Sequence, residues 1–332
     1  MWHKNKRKKE ELMTKMILPM NLQMFADTAT LNYADSYQKA LQKRYSENGI
    51  LYSEKLWNSP SNNLIKWVGA KTVKLPKLLI KNGRKDRTRR SITNASTNYE
   101  NQWETYELTN ERYWDTLVDP SDIDETNYAA SIANITKTYN DTEKIPEKDK
   151  QMFSFLYTLK KEADNGKGIY EMELTEANIL KQFDDMMTEM DEAGVPSTGR
   201  SLYLTPAART ILKNAQGISR NFSVQENNGV IDRVVQRLDE VTIEPAVPSA
   251  YMKTLYDFTV GAVADPTAQT IQMMLIHIPC MCAPEKYSFV GLDQPSAATS
   301  GNYLYYEQSY DDVILFESKT DGISFVVTPA AP

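Results

Sequence analysis

Residues 68–128 most restrict how this chain can fold, because they hold two alternating stretches joined by a connection far too long and too charged for an ordinary turn. On the first arm Lys71, Val73 and Leu75 fall on one face of an extended chain, and Ala70, Thr72 and Lys74 on the other. On the second, Glu104, Tyr106 and Leu108 oppose Trp103, Thr105 and Glu107. Between the arms run about twenty residues carrying Lys81, Arg84, Lys85, Arg87, Arg89 and Arg90 and almost no apolar side chain, whereas hairpin loops usually have ~2–5 residues. Such a loop has nothing to bury against its own subunit. It is either disordered alone or ordered by a partner.

Downstream, Asp122 with Glu125 reads as a capping box, followed by Tyr128, Ile132, Ile135 and Tyr139 at helical spacing. Pro146 suits the first position of a second helix with Met152, Phe155, Leu156 and Leu159 on one face, closed by Gly166 and Gly168. Thr175 with Asn178 opens another, whose apolar face is Ile179, Phe183, Met186, Met187 and Met190 and whose end is Gly194-Val195-Pro196. Strands are expected at residues 201–204, 241–244, 271–278, 303–316 and 323–327, with a helix over 206–215 and a turn at Asp321-Gly322. Helices and strands are segregated rather than regularly alternating, so the class is α+β. Before the hairpin, Tyr33, Tyr37, Leu41 and Tyr45 give a weak helical pattern within an arm.

Composition narrows the chemistry. The 332 residues carry a net charge of −6, which argues against sequence-independent nucleic-acid binding, since that draws its affinity from cations neutralising phosphates. The charge is uneven: residues 4–9 and 81–90 are basic, and 119–125 and 184–192 acidic, a pattern that favours complementarity between subunits. The cations at 81–90 lack the interleaved aromatics of a single-strand binder, so protein contacts are preferred over DNA. Asp119, Asp122, Asp124 and Glu125 lack the glycine and spacing of a calcium loop; capping and contacts to a neighbour's basic loop are preferred over a bound ion.

With two histidines, His3 and His277, a histidine-based triad would have to rest on His277. Strand alternation would put Cys280 and Cys282 on one face and His277 on the other, and no further cluster completes a tetrahedral metal site; Pro279 marks a bend. Met186, Met187 and Met190 read as core or interface rather than a copper site. No phosphate loop or dinucleotide fingerprint occurs among the 13 glycines. Neither a catalytic site nor a cofactor is expected. Two cysteines fit a reducing cytoplasm, no apolar run approaches the ~20 residues of a membrane helix, and the basic N-terminus lacks a secretory core.

Several separated blocks, from about residue 20 to 327, carry a resemblance. They are Gly69 to Pro76, Trp103 to Thr109, the series Asp119, Asp122, Asp124, Glu125, Thr126 and Asn127, the opening Met20 to Ala26, and Asp191 to Pro196 followed by Arg200, Leu202, Tyr203, Leu204, Thr205 and Pro206. In this order they resemble the major capsid proteins of tailed bacteriophages with the HK97-type fold, especially the group from phages and prophages of Gram-positive bacteria.

The resemblance implies an HK97-like capsid fold with an N-terminal arm (1–67), an extended hairpin loop (68–110), a peripheral domain with a spine helix (111–170 and 303–332) and an axial domain (171–302). It implies a structural protein of the virion. The chain would self-assemble in the host cytoplasm as hexamers and pentamers of an icosahedral head around double-stranded DNA, with a separate scaffolding protein and a portal protein as partners and no membrane. The hairpin would reach over an adjacent subunit, its cations meeting carboxylates near 119–125. Residues 1–19 precede the usual family start and read equally as an in-frame ribosome-binding sequence or a flexible basic arm. Two alternatives remain open: an encapsulin-type shell with enzyme cargo, and more distantly a cytoplasmic enzyme with a long flexible loop.

Overall fold

The computed structural model describes residues 49–69, 71–84, 86, 89, 97–125, 131–215 and 236–330. The expected helix at Tyr33 to Tyr45 and the Met20 to Ala26 block lie outside them, as does Tyr128.

The middle of the molecule is a six-stranded sheet in the order Ile169–Glu171, Ile323–Val327, Ile271–His277, Arg200–Leu204, Val241–Ile243 and Arg237–Leu238. Both of its faces are covered. On one, Tyr203, Met274, Ile276 and Phe325 meet Met152, Phe153, Leu156 and Tyr157 of the helix Ile145–Ala163. On the other, Leu202, Leu204, Met273, Leu275 and Val326 meet Ile179, Phe183, Met186 and Met190 of the helix Ile179–Glu192, and Ala208 and Leu212 of the helix Pro206–Asn214. This explains the unbroken apolar run Met273 to Ile276: a strand buried on both faces has no solvent side to make polar. Met186 and Met190 are core, as expected, and Met187 packs at its margin.

The helix ends follow local chemistry. Thr205 accepts the Ala208 N–H with its side chain at the start of Pro206–Asn214. Gly194, at φ +73°, closes Ile179–Glu192 with Gly194 N–H to Asp191 O and Val195 N–H to Met190 O, both 2.9 Å, the paired bonds of a Schellman motif. Arg200 locks the following loop, its buried guanidinium donating to Asp191 (2.6 Å), Val195 O (2.6 Å) and Pro196 O (3.0 Å).

Four expectations are corrected. Asp122 does not open a capping box: the helix there is Pro120–Glu125, and Asp119 accepts the Ser121 N–H at 2.8 Å. Ser131 caps the next helix, Ile132–Tyr139. Pro146 does not start a helix either. It lies within one helical run from Ile132 to Ala163, just after a π-turn at Asn140–Lys144 where the Ile145 N–H reaches back to Asn140 O. A proline inside an α-helix loses its bond to the carbonyl four residues back and clashes with it; the wider turn relieves that crowding.

The expected strand 303–316 is broken, with Tyr303–Asp311 in an outer sheet and Ile314–Leu315 pairing Met281–Cys282. Finally, Cys280 and Cys282 do not share a surrounding. A short 3₁₀ turn at Ile278–Cys280 interrupts the alternation, so Cys280 enters the core under the long helix and Cys282 the root of the hairpin. Both are free thiols pushed up to about 12 by burial.

Gly322, expected for turn chemistry, is required for proximity: an added Cβ would come within 2.8 Å of the Cys280 Cβ. Gly322→Ala is expected to destabilise the fold by roughly 1–3 kcal/mol through overpacking, measurable as a lowered midpoint in thermal or urea unfolding; an unchanged midpoint would mean that this contact relaxes freely.

Candidate intersubunit surface

The hairpin is real and longer than its sequence pattern. Strands Thr72–Ile80 and Tyr99–Glu107 pair antiparallel without a register break, from Thr72 opposite Glu107 to Ile80 opposite Tyr99. Nine residues a side span about 30 Å. Its root is anchored, with Val73 and Leu75 buried against Cys282 and Ile314, and with Ile65, Trp67, Tyr106 and Phe316 around them. Asp312 accepts the Thr109 N–H (2.9 Å) and hydroxyl (3.2 Å). The neighbouring Asp311 accepts from Asn110 and from Gln151 of the long helix (3.2 Å), and burial raises its carboxyl above the usual range.

The far half is different. Facing pairs in an antiparallel ladder share a side, so Pro76 with Trp103, Leu78 with Asn101 and Ile80 with Tyr99 line one face. There Leu78 is 64%, Ile80 69%, Tyr99 59% and Trp103 47% exposed. Trp103 carries the Lys66 ammonium 5.3 Å above its ring. An exposed apolar strip of this kind is a candidate interaction surface. The opposite face carries ion pairs: Lys77 with Glu104 of the hairpin and with Glu317 of the body, and Lys81 with Glu100 of the hairpin at 2.9 Å. These hydrogen bonds hold Glu104 and Glu100 below the ordinary carboxylate range and raise Lys77.

Beside the hairpin root stands a three-stranded outer sheet in the order Glu285–Asp293, Tyr303–Asp311 and Asn110–Val118. Its inner face lies on the long helical run: Trp114 stacks on Tyr139 at 3.9 Å, Arg112 pairs with Glu147 at 2.7 Å and Lys144 with Glu307 at 3.1 Å. The outward face carries Tyr113 stacked on Tyr306 (6.1 Å), with Phe289 against the same ring. Tyr113 and Leu117 are 68% and 59% exposed. The tyrosines of strand Tyr303–Asp311 are thus divided between the two faces of this sheet, Tyr305 beside the inner Trp114 and Tyr306 beside the outer Tyr113.

Of the ten charged residues singled out in the sequence, Lys81 is partnered within the hairpin, and Arg84 and Arg89 are exposed beyond it. Lys85, Arg87 and Arg90 lie outside the described residues. Asp119 and Asp122 are exposed, and Asp119 is engaged in capping; Asp124 and Glu125 belong to the short helix 120–125, their side chains outside the description. Sequence reasoning missed the apolar face of the hairpin. Its signal was the run Leu78-Leu79-Ile80, overshadowed by the cations that follow. It also missed the strands Asn110–Val118 and Glu285–Asp293, although Arg112, Trp114, Thr116 and Val118 alternate against Glu111, Tyr113, Asp115 and Leu117.

Among the described residues no cluster of histidine, cysteine or carboxylates is arranged to hold a metal ion, and no helix is long and apolar enough to cross a membrane. No protein-family model and no curated protein matches the chain. Solved structures do. The mature capsid of bacteriophage PhiM1 superposes with a TM-score of 0.57 at 13% identity, over 79% of this chain and 83% of that one. The capsid of the cyanophage P-SCSP1u gives 0.51 at 9% identity, over 80% and 86%. A structure from Mycobacterium phage Bobi gives 0.50 at 14% identity, over 90% and 98%. The long helical run from Ile132 to Ala163, the projecting hairpin and the helix-covered sheet therefore form an HK97-like fold, the fold of phage capsid proteins.

Proposed function

We propose that this chain is the major capsid protein of a tailed phage or prophage, of the group found with Gram-positive hosts, and that it assembles as hexamers and pentamers into an icosahedral head around double-stranded DNA. The observation that carries this reading is the hairpin. In a chain with a capsid fold, an anchored root and an exposed apolar far half describe an element made to be buried elsewhere, and a second copy is the partner that the fold supplies. A contact between two different surfaces of identical subunits closes into rings when the rotation allows, which fits capsomers.

Within this reading residues 1–67 are the arm, 68–110 the intersubunit strap, 111–170 with 303–332 the peripheral domain, and 171–302 the axial domain. Lys81, Arg84, Lys85, Arg87, Arg89 and Arg90 then face carboxylates of a neighbour, Asp119, Asp122, Asp124 and Glu125 among them. A separate scaffolding protein and a portal complete the assembly. The shell has no catalytic step, and the net charge of −6 lets it enclose DNA without adhering to it through a broad cationic surface.

Electron microscopy of the chain expressed with its adjoining phage genes tests the proposal. Megadalton icosahedral particles are expected. A small discrete oligomer overturns it, and particles that copurify with an enzyme cargo in place of DNA favour the compartment reading.

A further inference from the structure

Asp149 is a fully buried carboxylate on the long helix, and among the described residues no ion pair uses it. Among these residues its oxygens accept from the chain segment that enters the body from the N-terminal side. Oδ1 takes the Ser53 N–H (2.8 Å) and lies 2.6 Å from the Ser53 hydroxyl, and Oδ2 takes the Tyr52 N–H (3.2 Å). Ser53 precedes the short helix Glu54–Trp57, whose Leu56 and Trp57 are buried in the core under the long helix, with Leu51 and Tyr52 packed against it. The carboxylate therefore stands where the segment 49–58 is seated.

We propose that Asp149 and Ser53 form an acid-tightened latch, which holds the segment 49–58 on the long helix most firmly when the carboxyl is protonated and loosens as it ionises. The partner set permits this. A hydroxyl both donates and accepts, so a protonated Asp149 can turn its proton toward Ser53 Oγ while its oxygens keep both backbone N–H groups. The neutral form then loses no hydrogen bond and avoids the cost of a buried charge with no cation beside it.

The surrounding groups leave Asp149 as the titrating member. On its own helix, Lys148 pairs with Glu285 at 3.0 Å and Lys150 donates to Ala262 O at 2.8 Å. From the seated segment, Lys55 pairs with Glu244 at 2.7 Å, and Glu54 lies on the short helix. From the central sheet and the 248–252 turn, Tyr203 and Tyr251 are held neutral, raised first by burial. Burial likewise pushes Asp149 up to about 6, against the opposing effect of its three donors.

The sign follows from linkage: a folded-state pKa of about 6 against ~3.9 for a solvated aspartate gives stability fully present below ~3.9 and lost as pH rises through about 6.

Hydrogen exchange of the purified full-length subunit, followed in peptides covering 50–58 and corrected for intrinsic rates, tests the latch. Protection is expected to fall about tenfold between pH 5 and pH 8, and to lose this dependence in Asp149→Asn. Ser53→Ala takes the hydroxyl from both forms, but the charged form loses the stronger, charge-assisted bond, so its midpoint is expected at higher pH; this variant decides the matter if Asp149→Asn fails to fold. Protection that is flat with pH in the parent, an equal slope in Asp149→Asn, or an unmoved midpoint in Ser53→Ala each overturns the proposal. The readout is on the free subunit, so it stands apart from whether particles form.

Discussion

Ile80→Asp combined with Trp103→Asp is expected to give a folded subunit that forms no particles. Ile80 is 69% exposed and Trp103 47%, with the Lys66 ammonium over its ring; surface substitutions usually change stability within about 0.5 kcal/mol, and an exposed cation–π contact contributes about 0.5–1 kcal/mol. Their thermal midpoint should therefore fall only slightly below that of the parent. At a docked interface the balance reverses. Burying each large apolar side chain contributes about 1.5–3 kcal/mol, and an aspartate in its place must be desolvated without a partner. The penalty recurs at every copy, so it acts on the shell as a whole.

The comparison that gives this test its force is Arg87→Glu with Arg89→Glu and Arg90→Glu, which probes the cationic tip. Exposed ion pairs contribute about 0–1 kcal/mol each and weaken with salt, so the charge reversal is expected to impair assembly less completely and in a salt-dependent way. Gradient sedimentation and micrographs of the two variants separate the ideas. Normal particles from the aspartate pair would show that the apolar face is not the grip.

Phe153→Ala carries the largest expected cost to the subunit itself. Phe153 is fully buried on the long helix and meets Tyr203 of the central sheet edge-to-face, with ring centroids 5.6 Å apart. Truncating a core phenylalanine costs about 3–5 kcal/mol, part of it the cavity left behind, and the lost aromatic pair accounts for about 0.5–1.5 kcal/mol of that. Because this contact ties the long helix to the sheet, the variant should unfold at clearly lower urea concentration with an unchanged slope. A midpoint within error of the parent would mean that helix and sheet are held together elsewhere, by contacts such as Tyr157 with Phe325 at 5.5 Å.

The elements whose periodicity is carried by buried faces were readable in advance. The apolar positions of Ile179–Glu192, the strands expected at 201–204 and 271–278 and the two arms of the hairpin all came from spacing alone, and the structure places them at Arg200–Leu204, Ile271–His277 and Thr72–Ile80 with Tyr99–Glu107. The signals that misled were local ones with more than one structural meaning. Pro146 looks the same in sequence whether it starts a helix or follows a π-turn, and in the folded chain it follows one, with Tyr139 just upstream stacked on Trp114. Asp122 and Glu125 had capping spacing, but Asp119 before Pro120 made the better helix start. Two of the three strands of the outer sheet were missed because they keep apolar residues on both sides, which blurs the alternation.

For the candidate surface, an overlong basic hairpin and the course of its two arms were legible from residue order, since alternation and charge are properties of neighbours in the chain. Which part of the hairpin is spare emerged from the folded arrangement. Val73 and Leu75 look no different in sequence from Leu78 and Ile80, yet the first two are buried against Cys282 and Ile314, from strands more than 200 residues away, and the other two stay largely exposed among the described residues. Burial is a relation between distant segments, so the residues that hold the hairpin down and those that reach out from it separate only once the chain is folded.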